Sequence, residues 1–147
     1  MRKLGFLFVF IFIILLVGCE KKNNNDYNDE EIIEGDISMD LYVDGIKLDV
    51  SWENNRSVIE LSNLGDITIN MQRYGGFEVF GPIGQKIYSN DTNITTTPGD
   101  IMLYQSRQIV LFFGTNSYSY TRLGHINLNE EELNNILNKD SVLVEIK

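Results

Sequence analysis

Residues 108–126 read QIVLFFGTNSYSYTRLGHI. The apolar run Ile109, Val110, Leu111, Phe112 and Phe113 is short enough for a strand and dense enough to be buried on both faces. Gly114 ends it, and Tyr118 and Tyr120 then alternate with Ser117, Ser119 and Thr121, so one set faces a core and the other faces outward. Working back, residues 101–104 (IMLY) and 93–97 (NITTT) give two more short strands, with Pro98-Gly99 and Ser106 marking turns. Ile67, Ile69 and Met71 alternate as another, after which Gly75, Gly76, Gly81, Pro82 and Gly84 break the pattern over what reads as a long loop. At residues 37–52, Ile37, Met39, Leu41 and Val43 lead into Asp44-Gly45 and then Ile46, Leu48, Val50 and Trp52, a hairpin with a type I′ turn. Asn54 or Asn55 caps a short helix burying Val58, Leu61 and Leu64 and stopped by Gly65. Asn129 and Glu132 form a capping box for a second helix with Leu133, Ile136 and Leu137 on its apolar stripe, and Val142, Val144 and Ile146 close the chain as a strand. Many short strands and two short helices predict a mainly β fold, a small closed antiparallel barrel capped by the helices.

The chain has 147 residues with 21 acidic and 12 basic side chains, net charge −9, one cysteine and one histidine. That length fits one domain with a tail. A lone cysteine excludes an internal disulfide framework and a Cys-based zinc cluster, and a lone histidine removes most His-based metal cages. The acidic balance argues against nucleic acid as a partner. Met1, Arg2 and Lys3 precede the apolar run LGFLFVFIFIILLV at residues 4–17, which at 14 residues is shorter than the roughly 20 a spanning helix needs. Leu16, Val17, Gly18 and Cys19 then match a bacterial lipobox, so residues 1–18 read as a lipoprotein signal peptide and Cys19 as the lipidated residue. Two acyl chains give stable anchoring where one is marginal. The expected location is extracytoplasmic, anchored to a bacterial membrane with the lipid bilayer as partner. Residues 20–36, with seven acids and two lysines, read as a flexible acidic tether, and residues 37–147 as the domain.

Three segments of this domain, YGGFEVFG at 74–81, SNDTNITTTPGDIMLYQ at 89–105 and residues 108–126, together resemble the bacterial cyclophilin-like domain family. The resemblance implies an antiparallel barrel of cyclophilin-like fold and implies little about activity. True cyclophilins isomerise prolyl bonds with an arginine followed closely by FMxQGG. That pattern does not occur here, and its nearest echo, Met71-Gln72-Arg73-Tyr74-Gly75-Gly76, has similar residue types in another arrangement.

The chemistry-bearing residues narrow the choice further. His125 suits a general base by its ordinary pKa, but a surface or strand-end role competes. Glu130, Glu131 and Glu132 fit the first turn of a helix, where negative charge is favoured by the macrodipole, and Asp100 after Pro98-Gly99 reads as a turn residue. No metal or cofactor is expected, and Gly75-Gly76 lacks the remainder of a phosphate loop. The ligand-binding expectation is a shallow groove built from Arg122, Tyr74, Gly75, Gly76, Phe77, Glu78 and Tyr120. In it the guanidinium holds a carboxylate or peptide carbonyl and the rings pack on apolar parts of a ligand. The competing reading pairs Arg122 with Glu78 or another barrel carboxylate. A non-catalytic module for a peptide or small polar ligand is the favoured function, and a divergent peptidyl-prolyl isomerase the alternative.

Overall fold

A computed structural model describes residues 37–147; Cys19, the signal peptide and the tether lie outside the described residues. The elements in order are β1 (Leu41–Val43), β2 (Ile46–Leu48), β3 (Val50–Trp52), α1 (Arg56–Ser62), β4 (Ile67–Tyr74), β5 (Glu78–Pro82) and β6 (Thr92–Thr95). They continue with β7 (Asp100–Tyr104), β8 (Gln108–Phe112), β9 (Ser117–Ile126), α2 (Glu130–Leu137) and β10 (Ser141–Ile146). The strands follow the order β2-β1-β10-β4-β5-β8-β7-β9-β3, every pair antiparallel, with β6 added along β9. Because β2 and β3, the two ends of this order, are joined through Asp49 alone, the sheet curls into a nearly closed barrel.

Two departures from the sequence pattern matter. The alternation across residues 46–52 is not one strand: it breaks at Asp49, so β2 stays with β1 while β3 crosses to β9. The Asp44-Gly45 turn itself has positive φ at both residues, 48° and 80°, as a type I′ turn requires. The second departure is β5. The stretch that reads as loop is a central strand between β4 and β8. Its glycine is a packing requirement, since a Cβ on Gly81 would collide with Ile69 Cγ2 and stand 3.1 Å from Met71 Cγ.

The barrel interior is filled by Ile101, Leu103, Ile109, Leu111 and Leu123 from the strands, with Val58 and Leu61 of α1 and Leu133 and Leu137 of α2 closing it. Asn55 caps α1, its Oδ1 accepting from Val58 N at 3.0 Å, while its Nδ2 donates to Arg122 O at 2.9 Å and ties the helix to β9. The capping box of α2 is complete: Asn129 Oδ1 accepts from Glu132 N at 2.9 Å and Glu132 Oε2 accepts from Asn129 N at 3.0 Å.

Candidate functional site

Strand β8 is buried on both sides, and this places the site. Ile109, Leu111 and Phe113 face the barrel interior, while Val110 and Phe112 belong to a second apolar cluster with Met102 and Tyr120. Since alternate residues point to opposite faces, this second cluster lies on the outside of the sheet. Phe77, Phe80, Ile94 and Tyr104 pack around it. Cross-strand register runs the outer face from Tyr74 to Glu78 to Phe112 in one row, and from Gln72 through Phe80, Val110 and Met102 to Arg122 in the next.

Most of the residues singled out from sequence therefore share one face. Tyr74 is 60% exposed and packs edge-on against Phe77 and Phe80, with ring centroids 5.9 and 6.3 Å away. Gly75, at φ 58°, opens the turn after β4, and a Cβ there would meet Phe77 Cε1 at 2.6 Å. The room that Gly75 leaves is thus taken by the protein's own ring, while Gly76 faces open space. Tyr120 is buried, stacks edge-on to Phe112 at 5.6 Å and accepts a hydrogen bond on its hydroxyl from Asn116 Nδ2 at 3.0 Å. Burial raises the Tyr120 pKa above its ordinary value; the Asn116 bond opposes the rise and the nearby Glu78 adds to it.

Glu78 is the unusual member. Only 8% of its surface is exposed, yet its Oε2 is buried with no hydrogen-bond partner. Burial pushes its pKa up to about 7, because a charge there is poorly solvated and nothing opposite compensates it. Arg122, which the competing sequence reading pairs with Glu78 or another barrel carboxylate, is four strands from Tyr74 across the sheet, about 19 Å at the usual strand spacing. Its Nη1 instead donates to Asp100 Oδ1 at 2.9 Å, leaving its side chain 37% exposed. Asp100 also accepts from Thr97 N at 2.9 Å, and His125 Nδ1 lies 3.0 Å from the same Oδ1. Burial alone would raise the Asp100 pKa, but these donors outweigh it and hold the carboxyl below its ordinary value. Arg122 and the 74–78 segment thus do not meet as two walls of one small groove. Asp100 does close the turn that its sequence suggests, its N donating to Thr97 O at 3.1 Å, and as the first residue of β7 it is also the buried carboxylate that holds Arg122, which the sequence does not show.

The echo at residues 71–76 is divided by the sheet. Met71 is buried in the barrel interior, and Arg73 is held by Asp140 and Asn138, each at 3.0 Å. An arginine, a methionine, a phenylalanine and a glutamine do share the outer face as Arg122, Met102, Phe112 and Gln108, but Met102 and Phe112 are fully buried and offer no surface to a prolyl ring. A shallow depression of about 480 Å³ lies at the far edge, lined by Asn93, Ile94, Thr95, Ser117, Tyr118 and Ser119. Among the described residues no three His, Cys, Asp or Glu side chains converge as metal ligands.

The family model of the Cyclophilin-like family matches residues 41–147. This chain belongs to the Cyclophilin-like family. Its barrel with two helices is consistent with that fold. Among solved structures, that of McbB in complex with tryptophan matches with a TM-score of 0.50 and 14% identity, over 75% of this chain and 44% of that one. The chain spans less than half of that neighbour, and the likeness is one of fold. No curated protein matches.

Proposed function

We propose that this member of the Cyclophilin-like family is a binding module held outside the cytoplasm by acyl chains on Cys19, and that the outer face of its sheet takes a peptide segment or small ligand with an aromatic part, without catalysis. The observation that carries the reading is Glu78, a buried carboxyl with an unpartnered oxygen beside the exposed ring of Tyr74. Buried polar atoms are nearly always hydrogen-bonded, so one left without a partner beneath an aromatic rim marks a place where a partner's donor fits. The exposed ring of Tyr74 and the partly buried rings of Phe77 and Phe80 supply area with little loss of side-chain freedom. Burial of Met102 and Phe112 speaks against the alternative, prolyl isomerisation.

Calorimetry on the purified protein tests this with N-acetyl-tryptophan amide and a blocked Ala-Phe-Pro-Ala peptide; the ligand of the McbB complex, tryptophan, is a third probe. Saturable binding of at least one probe, weakened fivefold or more by Tyr74→Ala, supports the site. Binding unaffected by Tyr74→Ala, or no binding of any probe, counts against it. A protease-coupled isomerisation assay should show only the background rate, and acceleration lost in Arg122→Ala would reinstate the enzyme reading.

A further inference from the structure

The buried, unpartnered carboxyl of Glu78 has a chemical preference set by its surroundings. Tyr74 stands directly across from it on β4, Phe112 directly across on β8, and Phe80 two residues along on the same face of β5. Three rings therefore border one acid. Among the described residues no cation completes the set. Lys47, Arg56, Arg73, Arg122, Lys139 and Lys147 are each paired with another carboxylate, and neither Lys86 nor Arg107 makes an ion pair with Glu78.

From this geometry we infer that Glu78, Tyr74 and Phe80 form a receptor for an organic ammonium group carried on an apolar or aromatic body, with Phe77 as a movable cover. The inference rests on the reading of the outer face as the binding surface and names the class of ligand it takes. An ammonium donates to the unpartnered Oε2 and sits against ring faces, whose quadrupoles attract cations. An anion of the same shape meets an acid with no basic neighbour and is rejected. The second buried side-chain atom without a partner, Gln108 Oε1, is also on this face. Phe77 is only partly buried, and its ring lies against Gly75, which has no side chain to block a change in the ring's position.

Burial holds Glu78 near neutrality, and its acidity adds a second signature. An ammonium favours the ionised acid, so its binding strengthens as pH rises through about 7 and releases a proton from Glu78 on the acid side. A neutral ligand has no such dependence.

The test uses the purified protein and three indoles of one shape: tryptamine, neutral N-acetyltryptamine and anionic 3-indolepropionate, titrated by calorimetry at pH 8 and pH 5.5. Expected are at least tenfold tighter binding of tryptamine than of N-acetyltryptamine at pH 8, a smaller advantage at pH 5.5, and loss of the advantage in Glu78→Gln with N-acetyltryptamine binding retained. Equal binding of the three, or a tryptamine preference that survives Glu78→Gln, overturns the ammonium receptor while the outer-face site stands. Failure of all three probes, together with failure of the aromatic peptide above, removes both.

Discussion

Replacing Glu78 with Gln should make the protein more stable at neutral pH, and the amount can be worked from the site. In the folded chain the acid titrates at about 7, against an ordinary value of 4.5. Below about pH 4.5 it is protonated whether the chain is folded or not, and it adds no penalty. As pH rises from there, the unfolded chain ionises first, which favours unfolding. Stability contributed by the neutral acid therefore falls until the folded acid also ionises near 7, and levels above it. At about 1.4 kcal/mol for each pH step, the full rise corresponds to about 3 kcal/mol; solvent at the rim of the cluster screens part of it, so about 1 to 3 kcal/mol is expected. Glutamine keeps the shape and removes the ionisation. Urea unfolding of both proteins from pH 4.5 to pH 8 reads the effect as a difference, in which every other titrating group cancels. The variant's advantage should grow across that span by the stated amount and then stop growing. A difference that stays flat, or one that grows below pH 4.5, would refute a buried and uncompensated Glu78.

Four further outcomes follow from other parts of the chain. Asp100→Asn removes the charge and one of the two acceptor oxygens of the carboxylate that holds Arg122, His125 and Thr97, and should cost about 1 to 3 kcal/mol at pH 7 because Arg122 and His125 can turn to water. Since the folded carboxyl titrates below 3.8, its contribution is present above that pH and lost as pH falls further, so acid melts of the wild type should show a loss that the variant lacks. Leu111→Ala, at a fully buried position between β5 and β7, should cost about 2 to 5 kcal/mol in denaturant melts, and a loss under about 1 would place β8 outside the core. Gly81→Ala pushes a methyl into Ile69 and should cost about 1 to 3 kcal/mol, readable as a lowered melting midpoint. Cys19→Ser should abolish labelling by a radioactive fatty acid, and a variant that is still labelled would mean that Cys19 is not the anchor.

Periodicity carried most of the architecture, and its failures have specific causes. Alternation at Ile67, Ile69 and Met71, the capped helices and the run at residues 109–113 all correspond to elements of the barrel. Strand β5 was hidden because Gly81 and Pro82 are turn formers by type, and the contact that demands a glycine comes from β4, which local sequence does not reveal. The turn between β7 and β8 was only half legible, because Gln105 and Ser106 both take positive φ without being glycine or asparagine. At the site, the identity of Tyr74, Phe77, Glu78 and Tyr120 was readable as polar-aromatic chemistry near glycines. Partnership was not. Whether Arg122 pairs with Glu78 or Asp100 depends on strand order, and the bulge between Ile101 and Met102 sets the register that brings Arg122 beside Asp100. The second apolar cluster had one visible signal, the strand buried on both faces, since an interior barrel strand with a dry outer face must be covered by something.

Chemical-shift mapping of the isotopically labelled protein with tryptamine tests the outer-face site most directly. The largest amide and side-chain shifts should fall at Tyr74, Phe77, Glu78 and Phe80, with the Glu78 carboxyl signal moving toward its ionised position at pH 6.5. Shifts concentrated instead on Asn93, Thr95 and Ser119 at the far depression, or an unmoved Glu78 carboxyl at saturating probe, would contradict it.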